Sequence, residues 1–368
     1  MDCRTGFSTE EDQHNAIDEA CMPIGDAQPK LILFFSDTES HATYARLLRE
    51  RFPETLIAGS DSYVLLSDKG SAHRGIALAA FISGISCTGG TIDEIARYPM
   101  KYRARVEERA KTLGAMDNTC CILLTPSDRH CEELVLDTLR SALESQGILV
   151  VGGTAGGEED GVRTCVSLNG QLFDDSSVFV LLHNEGGRIA FIKENIFVPT
   201  KHVFTVTDAD PMDQVIYELD GIPAAQRIAR ALGVQEDELL AQLPMHPFGR
   251  IVGDDIFIAA CDRIIDDDAV TTFSRIYNRT ETVLLQLGDY RAIFDEALAH
   301  IEAEMPHPSF SFVANCVTRS KLLETDGCYS AFAEGLNRTL GAYVGVSGYG
   351  EQLGFEHLNH TMVIALFE

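Results

Sequence analysis

Apolar and polar positions in the first half of the chain follow two alternating patterns. Short continuous apolar runs, typical of buried strands, are each followed by a stretch whose apolar residues recur at helical spacing. The runs "KLILFFS" at 30–36 and "NTCCILLTP" at 118–126 predict strands, and the stretches "ESHATYARLLRERF" and "CEELVLDTLRSALESQG" predict the helices after them. This alternation predicts an α/β layer structure in which helices cover a sheet.

Beyond residue 160 the pattern changes to neighbouring strands joined by short turns. The segment "RTCVSLNGQLFDDSSVFVLLH" predicts two strands joined at Asn169-Gly170, a dipeptide typical of two-residue hairpins. A helix follows Asp220-Gly221, and a second block of strands and helices includes a helix over about 325–339. The two apolar runs within 344–368 are interpreted as a hairpin-like pair that ends the chain. The fold class predicted is therefore α/β with α+β character, in two layered domains with mixed sheets flanked by helices.

Composition narrows the classes of function. A chain of 368 residues can bury two cores of ordinary size. The 56 acidic and 29 basic residues give a formal net charge of -27, which repels nucleic acid and anionic membrane surfaces. No signal-peptide pattern begins the chain, and no apolar run reaches the ~18 residues of a membrane helix. Ten scattered cysteines are typical of reduced thiols, so we expect a cytoplasmic protein.

The sequence contains no recognisable catalytic motif of a hydrolase, a kinase or a P-loop enzyme, so no enzymatic activity is expected and no catalytic residue is assigned. The glycine cluster at 152–157 follows a strand but lacks dinucleotide-binding spacing, which favours a plain turn over a phosphate site. His357 and His360 would face opposite sides of a strand, so no metal ligand is assigned.

The segment "SGYGEQ" at 347–352 places a carboxylate between two apolar runs. Glycines allow a sharp turn there, which would aim Glu351 out of the sheet. A carboxylate is costly to bury alone, so we expect it to face a cation or a polar ligand, and Arg319 after the strand "SFSFVANC" is the expected partner. If Arg319 and Glu351 pair with each other away from solvent, the pair would stabilise the domain. An open pair would bind a zwitterion, with the arginine on its carboxylate and the glutamate on its ammonium group.

A set of motifs, taken in order, resembles the FIST family of sensory proteins over about 30–368. The motifs are "VGGTAGG" (151–157), "LNGQLFDDSSVFVLL" (168–182), "VTDADPMDQVIYELDGIPAAQRIARALG" (206–233), "MHPFGRIVGDD" (245–255), "ANCVTRSKLL" (314–323), "YVGVSGYGEQ" (343–352) and "LNHTMVIAL" (358–366). The resemblance implies a FIST N-terminal-like domain at 30–225 and a FIST C-terminal-like domain at 226–368. Residues 1–29 are expected to form an N-terminal extension that packs on the first domain.

The resemblance implies a ligand-sensing protein of signal transduction. It would bind an amino acid-like small molecule and relay to a partner such as a histidine kinase, a diguanylate cyclase or a chemotaxis transducer. One alternative is a haem-binding nitric oxide sensor that regulates a histidine kinase or a cyclic-di-GMP enzyme. Another is a protein-interaction module. No cofactor is assigned.

Within that family the C-terminal motifs are the stronger candidates for a site. The stretch "AGSDSYVLLSDKG" lacks the Gly-Glu that often ends the corresponding N-terminal turn in family members. Ends of buried strands followed by glycine-rich turns are where layered folds leave crevices. The ligand-binding residues predicted on this basis are Cys316, Arg319, Tyr349, Gly350 and Glu351.

Overall fold

The structure is a computed structural model that describes residues 1–114, 117–127, 130–157, 163–253, 255–266 and 268–368. Residue 254 of the 245–255 motif lies outside the described residues. The chain divides into two compact units. The first unit comprises Met1–Glu194, Glu296–His357 and Thr361–Glu368, and the second comprises Asn195–Asp295 and Leu358–His360.

The strands of the described residues are, in chain order, β1 (Asp2–Ser8), β2 (Leu31–Ser36), β3 (Leu56–Asp61), β4 (Leu65–Ser67), β5 (Gly70–Ala72), β6 (Ile76–Ser83), β7 (Ile85–Asp93), β8 (Thr119–Thr125), β9 (Leu149–Thr154), β10 (Val166–Leu168), β11 (Gln171–Phe173), β12 (Ser176–Asn184), β13 (Ile189–Asn195), β14 (Phe197–Asp210), β15 (Val215–Leu219), β16 (Ile222–Pro223), β17 (Phe248–Val252), β18 (Asp255–Ala259), β19 (Cys261–Ile265), β20 (Ala269–Thr272), β21 (Glu281–Leu287), β22 (Phe310–Cys316), β23 (Tyr343–Gly348), β24 (Gly350–Gly354), β25 (Glu356–Leu358) and β26 (Thr361–Phe367).

The α-helices of the same residues are α1 (Gln13–Cys21), α2 (His41–Arg51), α3 (Arg103–Leu113), α4 (Glu132–Leu143), α5 (Ala224–Leu232), α6 (Glu236–Gln242), α7 (Tyr290–Glu304), α8 (Val317–Thr325) and α9 (Tyr329–Thr339). Short 3-10 helices lie at Pro99–Tyr102, Glu144–Gln146 and Leu243–Met245.

The first sheet has the strand order β1-β6-β2-β3-β10-β11. Strands β2 and β3 run parallel, while β1 pairs antiparallel along β6. Helices α1 and α2 cover the sheet, and their buried Ile17 and Leu48 share a core with Phe34. Asn169 and Gly170 join β10 to β11 with φ of 52° and 84°, as a two-residue turn of this type requires. The hairpin predicted at this dipeptide is therefore confirmed, and residues 1–29 supply an edge strand and a helix to this sheet.

The second sheet has the order β25-β24-β9-β8-β12-β7, with β8 and β9 parallel. Helices α3 and α4 pack on it through a shared apolar core. The glycine cluster begins inside β9, so the plain turn expected at 152–157 is wrong for Gly152 and Gly153. A Cβ at Gly153 would lie 2.5 Å from Cγ1 of Val346, so the glycine permits close approach between sheets.

The third sheet has the order β13-β26-β22-β23-β4-β5, with β22 and β23 parallel. Phe312 and Phe310 of β22 contact Phe35 and Phe81 of the first sheet, with ring centroids 6.1 and 4.7 Å apart. The two sheets therefore pack face to face. All residues of β22, β23 and β26 are buried, which explains their continuous apolar sequences.

The chain does not end in the expected hairpin-like pair. Strands β23 and β26 lie on opposite sides of β22. Strand β24, which lies between β23 and β26 in sequence, belongs to the second sheet. The polar segment after β23 is thus where the chain passes from one sheet to another. A Cβ at Gly348 would lie 1.8 Å from the carbonyl oxygen of Thr154, so only glycine fits at this crossing.

The second unit contains an antiparallel sheet of order β18-β17-β21-β14-β15-β20-β19, with β16 beside β15. Helix α5 follows the Asp220-Gly221 turn, and its Ile228 packs with Phe204 and Phe248 in the core of this unit. None of the helices in the described segments combines the length and the apolar character that crossing a bilayer requires.

The predicted fold class is confirmed, since several mixed sheets are flanked by helices and an antiparallel sheet forms the second unit. The helix predicted over about 325–339 is α9, and α8 precedes it, separated by Gly327 with φ of 64°. Helix α8 escaped the sequence analysis because "VTRSKLLET" has no one-sided apolar pattern. The domain division at residue 225 stays a prediction. Residue 225 lies inside the second unit, which begins at Asn195. Each unit is assembled from segments that are distant in sequence.

Candidate functional site

The candidate site lies in the first unit, at the edge of the third sheet where β22 ends. Asn315 and Cys316 are the last residues of β22, and α8 begins directly after them, which places Arg319 in its first turn. Thr361 begins β26, whose next residue, Met362, pairs with Asn315. Ends of several strands and the start of one helix therefore meet here.

Arg319 forms a buried ion pair with Glu194 of β13. Its Nη2 donates to Oε2 of Glu194, and its Nε donates to Oδ1 of Asn315 at 2.9 Å. The side chains of Arg319 and Glu194 are only 3% and 1% exposed. Burial raises the pKa of Glu194, and the positive charge of Arg319 opposes that rise. The pair is thus closed to solvent and held in one orientation by the amide of Asn315.

Glu351 of β24 is a second buried carboxyl group beside the pair. Its Oε2 accepts hydrogen bonds from the backbone N of Thr361 at 3.1 Å and from its Oγ1 at 2.8 Å. Burial raises the pKa of Glu351 to about 8, against the opposing effects of the Thr361 bonds, the charge of Arg319 and the Cys316 thiol. Burial therefore favours the protonated form of Glu351 over its carboxylate.

Several polar atoms of this cluster lack partners. Among the described residues, Nη1 of Arg319 and Oε1 of Glu194 make no hydrogen bond, although both atoms are fully buried. No N–H or O–H donor of those residues reaches Oε1 of Glu351 either. Unsatisfied buried groups of this kind cost ~1–3 kcal/mol each, more when charged. The cluster therefore holds one donor and two acceptors whose hydrogen-bonding capacity a small polar guest could satisfy.

The structure brings together three of the five predicted site residues. The thiol of Cys316 and the charge of Arg319 both lower the pKa of Glu351, so these three residues lie close together. The side chains of β24 alternate between two faces, and Gly350 lies on the other face, where a Cβ would be 2.2 Å from Cε1 of His357. Tyr349 donates its hydroxyl hydrogen to the carbonyl oxygen of Gly157 at 3.3 Å. Ligand contacts by Tyr349 and Gly350 stay predictions.

The ion-pair partner of Arg319 differs from the one expected. Glu351 attracts Arg319 without a direct contact, and Glu194 takes the ion-pair position. Sequence analysis missed Glu194, although a signal was present. In "IAFIKEN" the buried positions alternate, so Glu194 falls in phase with the buried Ala190 and Ile192. An acidic residue on the buried face of a strand points to a paired or functional carboxylate.

Two family models account for most of the chain. The FIST N domain model matches residues 30–222, and the FIST C domain model matches residues 224–353. The chain therefore belongs to the FIST family, whose domains are associated with sensing in signal transduction. No curated protein matches the chain. The candidate site draws on both matched segments, since Glu194 lies in the first and Arg319 and Glu351 lie in the second.

Proposed function

We propose that this protein is a cytoplasmic sensor that binds a small zwitterion of the amino acid type at the Glu194–Arg319–Glu351 cluster. The observation that carries the proposal is the buried Arg319, whose Nη1 is unsatisfied in a cluster that also contains an unsatisfied oxygen of Glu194 and one of Glu351. A carboxylate of the ligand would accept from Nη1, and its ammonium group would donate to Oε1 of Glu351 and Oε1 of Glu194. Such charge-assisted hydrogen bonds are the strongest that proteins make to small polar molecules.

Burial of the cluster couples ligand binding to a change in the protein. Arg319 and Glu351 are 3% and 0% exposed, so a ligand would reach them only through a conformational change that opens the cluster. A ligand that binds the opened arrangement more tightly shifts the population toward it. That shift is what a signalling partner would detect. A histidine kinase, a diguanylate cyclase or a chemotaxis transducer would fill this role, and the absence of catalysis by this chain stays a prediction.

Titration calorimetry against the individual amino acids tests the proposal. We expect one or a few of them to bind to the wild-type protein. Arg319→Lys keeps the charge but loses the planar fork of the guanidinium, so affinity should fall ten- to a hundredfold, as for loss of a charged hydrogen bond of ~1.5–3 kcal/mol. Arg188→Lys is the matched control, because Arg188 pairs with Glu304 at an exposed position.

Two results would oppose the proposal. Equal losses of affinity in the Arg319 and Arg188 variants would place the ligand elsewhere. Binding of no amino acid by the folded wild-type protein would leave the cluster as a purely structural ion pair. An absorption spectrum of the purified protein separates the haem alternative, since bound haem produces a Soret band and an amino acid does not.

The pH dependence of binding gives an independent test. An ammonium group prefers the ionised form of Glu351, whose pKa burial raises to about 8. Affinity should therefore tighten as the pH rises from 6.5 to about 8, by up to tenfold per unit. Glu351→Gln should remove this dependence. A wild-type affinity that weakens or stays constant over this range would contradict the assigned role of Glu351.

A further inference from the structure

A second polar cluster lies at the carboxyl edge of the first sheet and contains three potential metal ligands. Asp61 is the last residue of β3, and His41 is the first residue of α2, which follows the parallel neighbour β2. Cys165 directly precedes β10, which runs antiparallel to β3 with Val166 opposite Ser60. The topology thus brings residues that are far apart in sequence to one edge.

The distances suit a single small cation. One ligand atom from each of His41, Asp61 and Cys165 lies within 4.8 Å of the other two. Nδ1 of His41 is 3.4 Å from Oδ1 of Asp61. Ligand atoms around a tetrahedral zinc ion are about 3.3–3.7 Å apart, as follows from bond lengths of about 2.0–2.3 Å. A contraction of at most about 1.5 Å would complete three corners of such a site.

Neighbouring groups already orient the side chains of His41 and Asp61. The ring of His41 stacks on Phe34, with centroids 4.9 Å apart, and its Nε2 lies 3.0 Å from Oγ of Ser167. When Nε2–H donates to that hydroxyl, Nδ1 keeps a lone pair, which accepts from the Ser36 hydroxyl at 2.8 Å and lies 3.4 Å from Oδ1 of Asp61. Oδ2 of Asp61 accepts from the backbone N of Cys165 at 2.7 Å, which leaves Oδ1 toward the histidine. Outer contacts of this kind hold metal ligands in place.

The burial of the acidic ligand also suits a cation. Asp61 is only 1% exposed, and a divalent cation would supply the positive charge that its carboxylate and a Cys165 thiolate would need.

We infer that His41, Asp61 and Cys165 form a site for a divalent transition metal, with Zn²⁺ the best match. Imidazole, carboxylate and thiolate are all zinc ligands, and three protein ligands leave one coordination position open. The hydroxyl of Ser36 lies 2.8 Å from Nδ1 of His41. It can rotate away from Nδ1 or occupy the open coordination position of the metal. The site is separate from the Glu194–Arg319–Glu351 cluster and does not depend on the proposed amino acid ligand.

Cobalt substitution tests the site. Protein stripped with a chelator and given Co²⁺ should bind one equivalent, with visible bands of tetrahedral cobalt and a near-ultraviolet thiolate-to-cobalt charge-transfer band. Cys165→Ser should abolish the charge-transfer band and weaken Zn²⁺ competition by more than the ~10–100-fold that loss of an outer-shell partner costs. Cys87→Ser is the matched control, because Cys87 is also half-buried but lies on β7, outside the cluster.

Ser167→Ala provides a second variant that leaves all three ligands in place. It removes the partner of Nε2 of His41, so affinity for Zn²⁺ should fall about 10–100-fold while the charge-transfer band remains. The inference is overturned if the wild-type protein binds less than one equivalent of cobalt. It is also overturned if the charge-transfer band survives in Cys165→Ser or disappears equally in Cys87→Ser.

Discussion

Replacing Glu351 by glutamine should change how stability depends on pH. Glutamine has nearly the same shape and keeps an oxygen that can accept from Thr361, but it cannot ionise. In the wild-type protein, burial raises the pKa of Glu351 from 4.5 to about 8. The folded state therefore holds this proton more tightly than the unfolded state. The resulting stabilisation is fully present below pH 4.5 and is lost as the pH rises through about 8.

The size of the effect follows from the size of the shift. A difference of about 3.5 pKa units corresponds to at most about 5 kcal/mol, because one unit is worth 1.36 kcal/mol. Between pH 5.5 and 7.5 the free energy of unfolding should fall by about 1.4 kcal/mol per pH unit in the wild-type protein because of Glu351 alone. That contribution is missing in Glu351→Gln, so the variant should become the more stable protein as the pH rises toward 8.5.

Urea unfolding at a series of pH values measures this difference. Far-ultraviolet circular dichroism is the suitable signal, because the chain contains no tryptophan. Glu302→Gln on α7 is the control, since it removes an acidic group at an exposed position. Parallel profiles for the wild-type protein and Glu351→Gln between pH 5.5 and 8.5 would refute the reasoning, because Glu351 would then ionise alike in the folded and unfolded states.

Two further predictions concern the same region. Arg319→Met should destabilise the fold by ~3–5 kcal/mol, because it leaves the Glu194 carboxylate buried without a cation. In urea unfolding, the double variant Arg319→Met with Glu194→Leu should recover most of that loss. A double variant no more stable than the single variant would contradict this reason. Gly350→Ala should cost ~1–3 kcal/mol, because the new Cβ would lie 2.2 Å from the ring of His357, whereas Gly186→Ala, with open space around it, should shift the thermal midpoint little. Equal midpoints for the two alanine variants would show that the His357 ring moves aside at no cost.

Part of the candidate site could be predicted from sequence. Arg319 was identified because a charged residue that follows a buried strand needs a partner. Glu351 was identified because it lies in a glycine-containing segment between two apolar runs and needs a partner as well. Glu194 was missed because the segment around it was interpreted only as a strand. The hydrophobic pattern of that segment does not show that β13 pairs with β26. His41, Asp61 and Cys165 were missed for the same reason, since each lies on a different element of the first sheet.

The sequence by itself determined the local structure of this protein and its family. Continuous apolar runs specified buried strands and Asn169-Gly170 specified a hairpin, because these properties depend on residues that are neighbours in sequence. The order of the motifs along the chain specified the FIST family. Tertiary structure decided that β23 and β24 enter different sheets and that Arg319 pairs with Glu194 and not with Glu351. Those outcomes depend on which strands lie side by side, and strand order is selected by packing between residues that are distant along the chain.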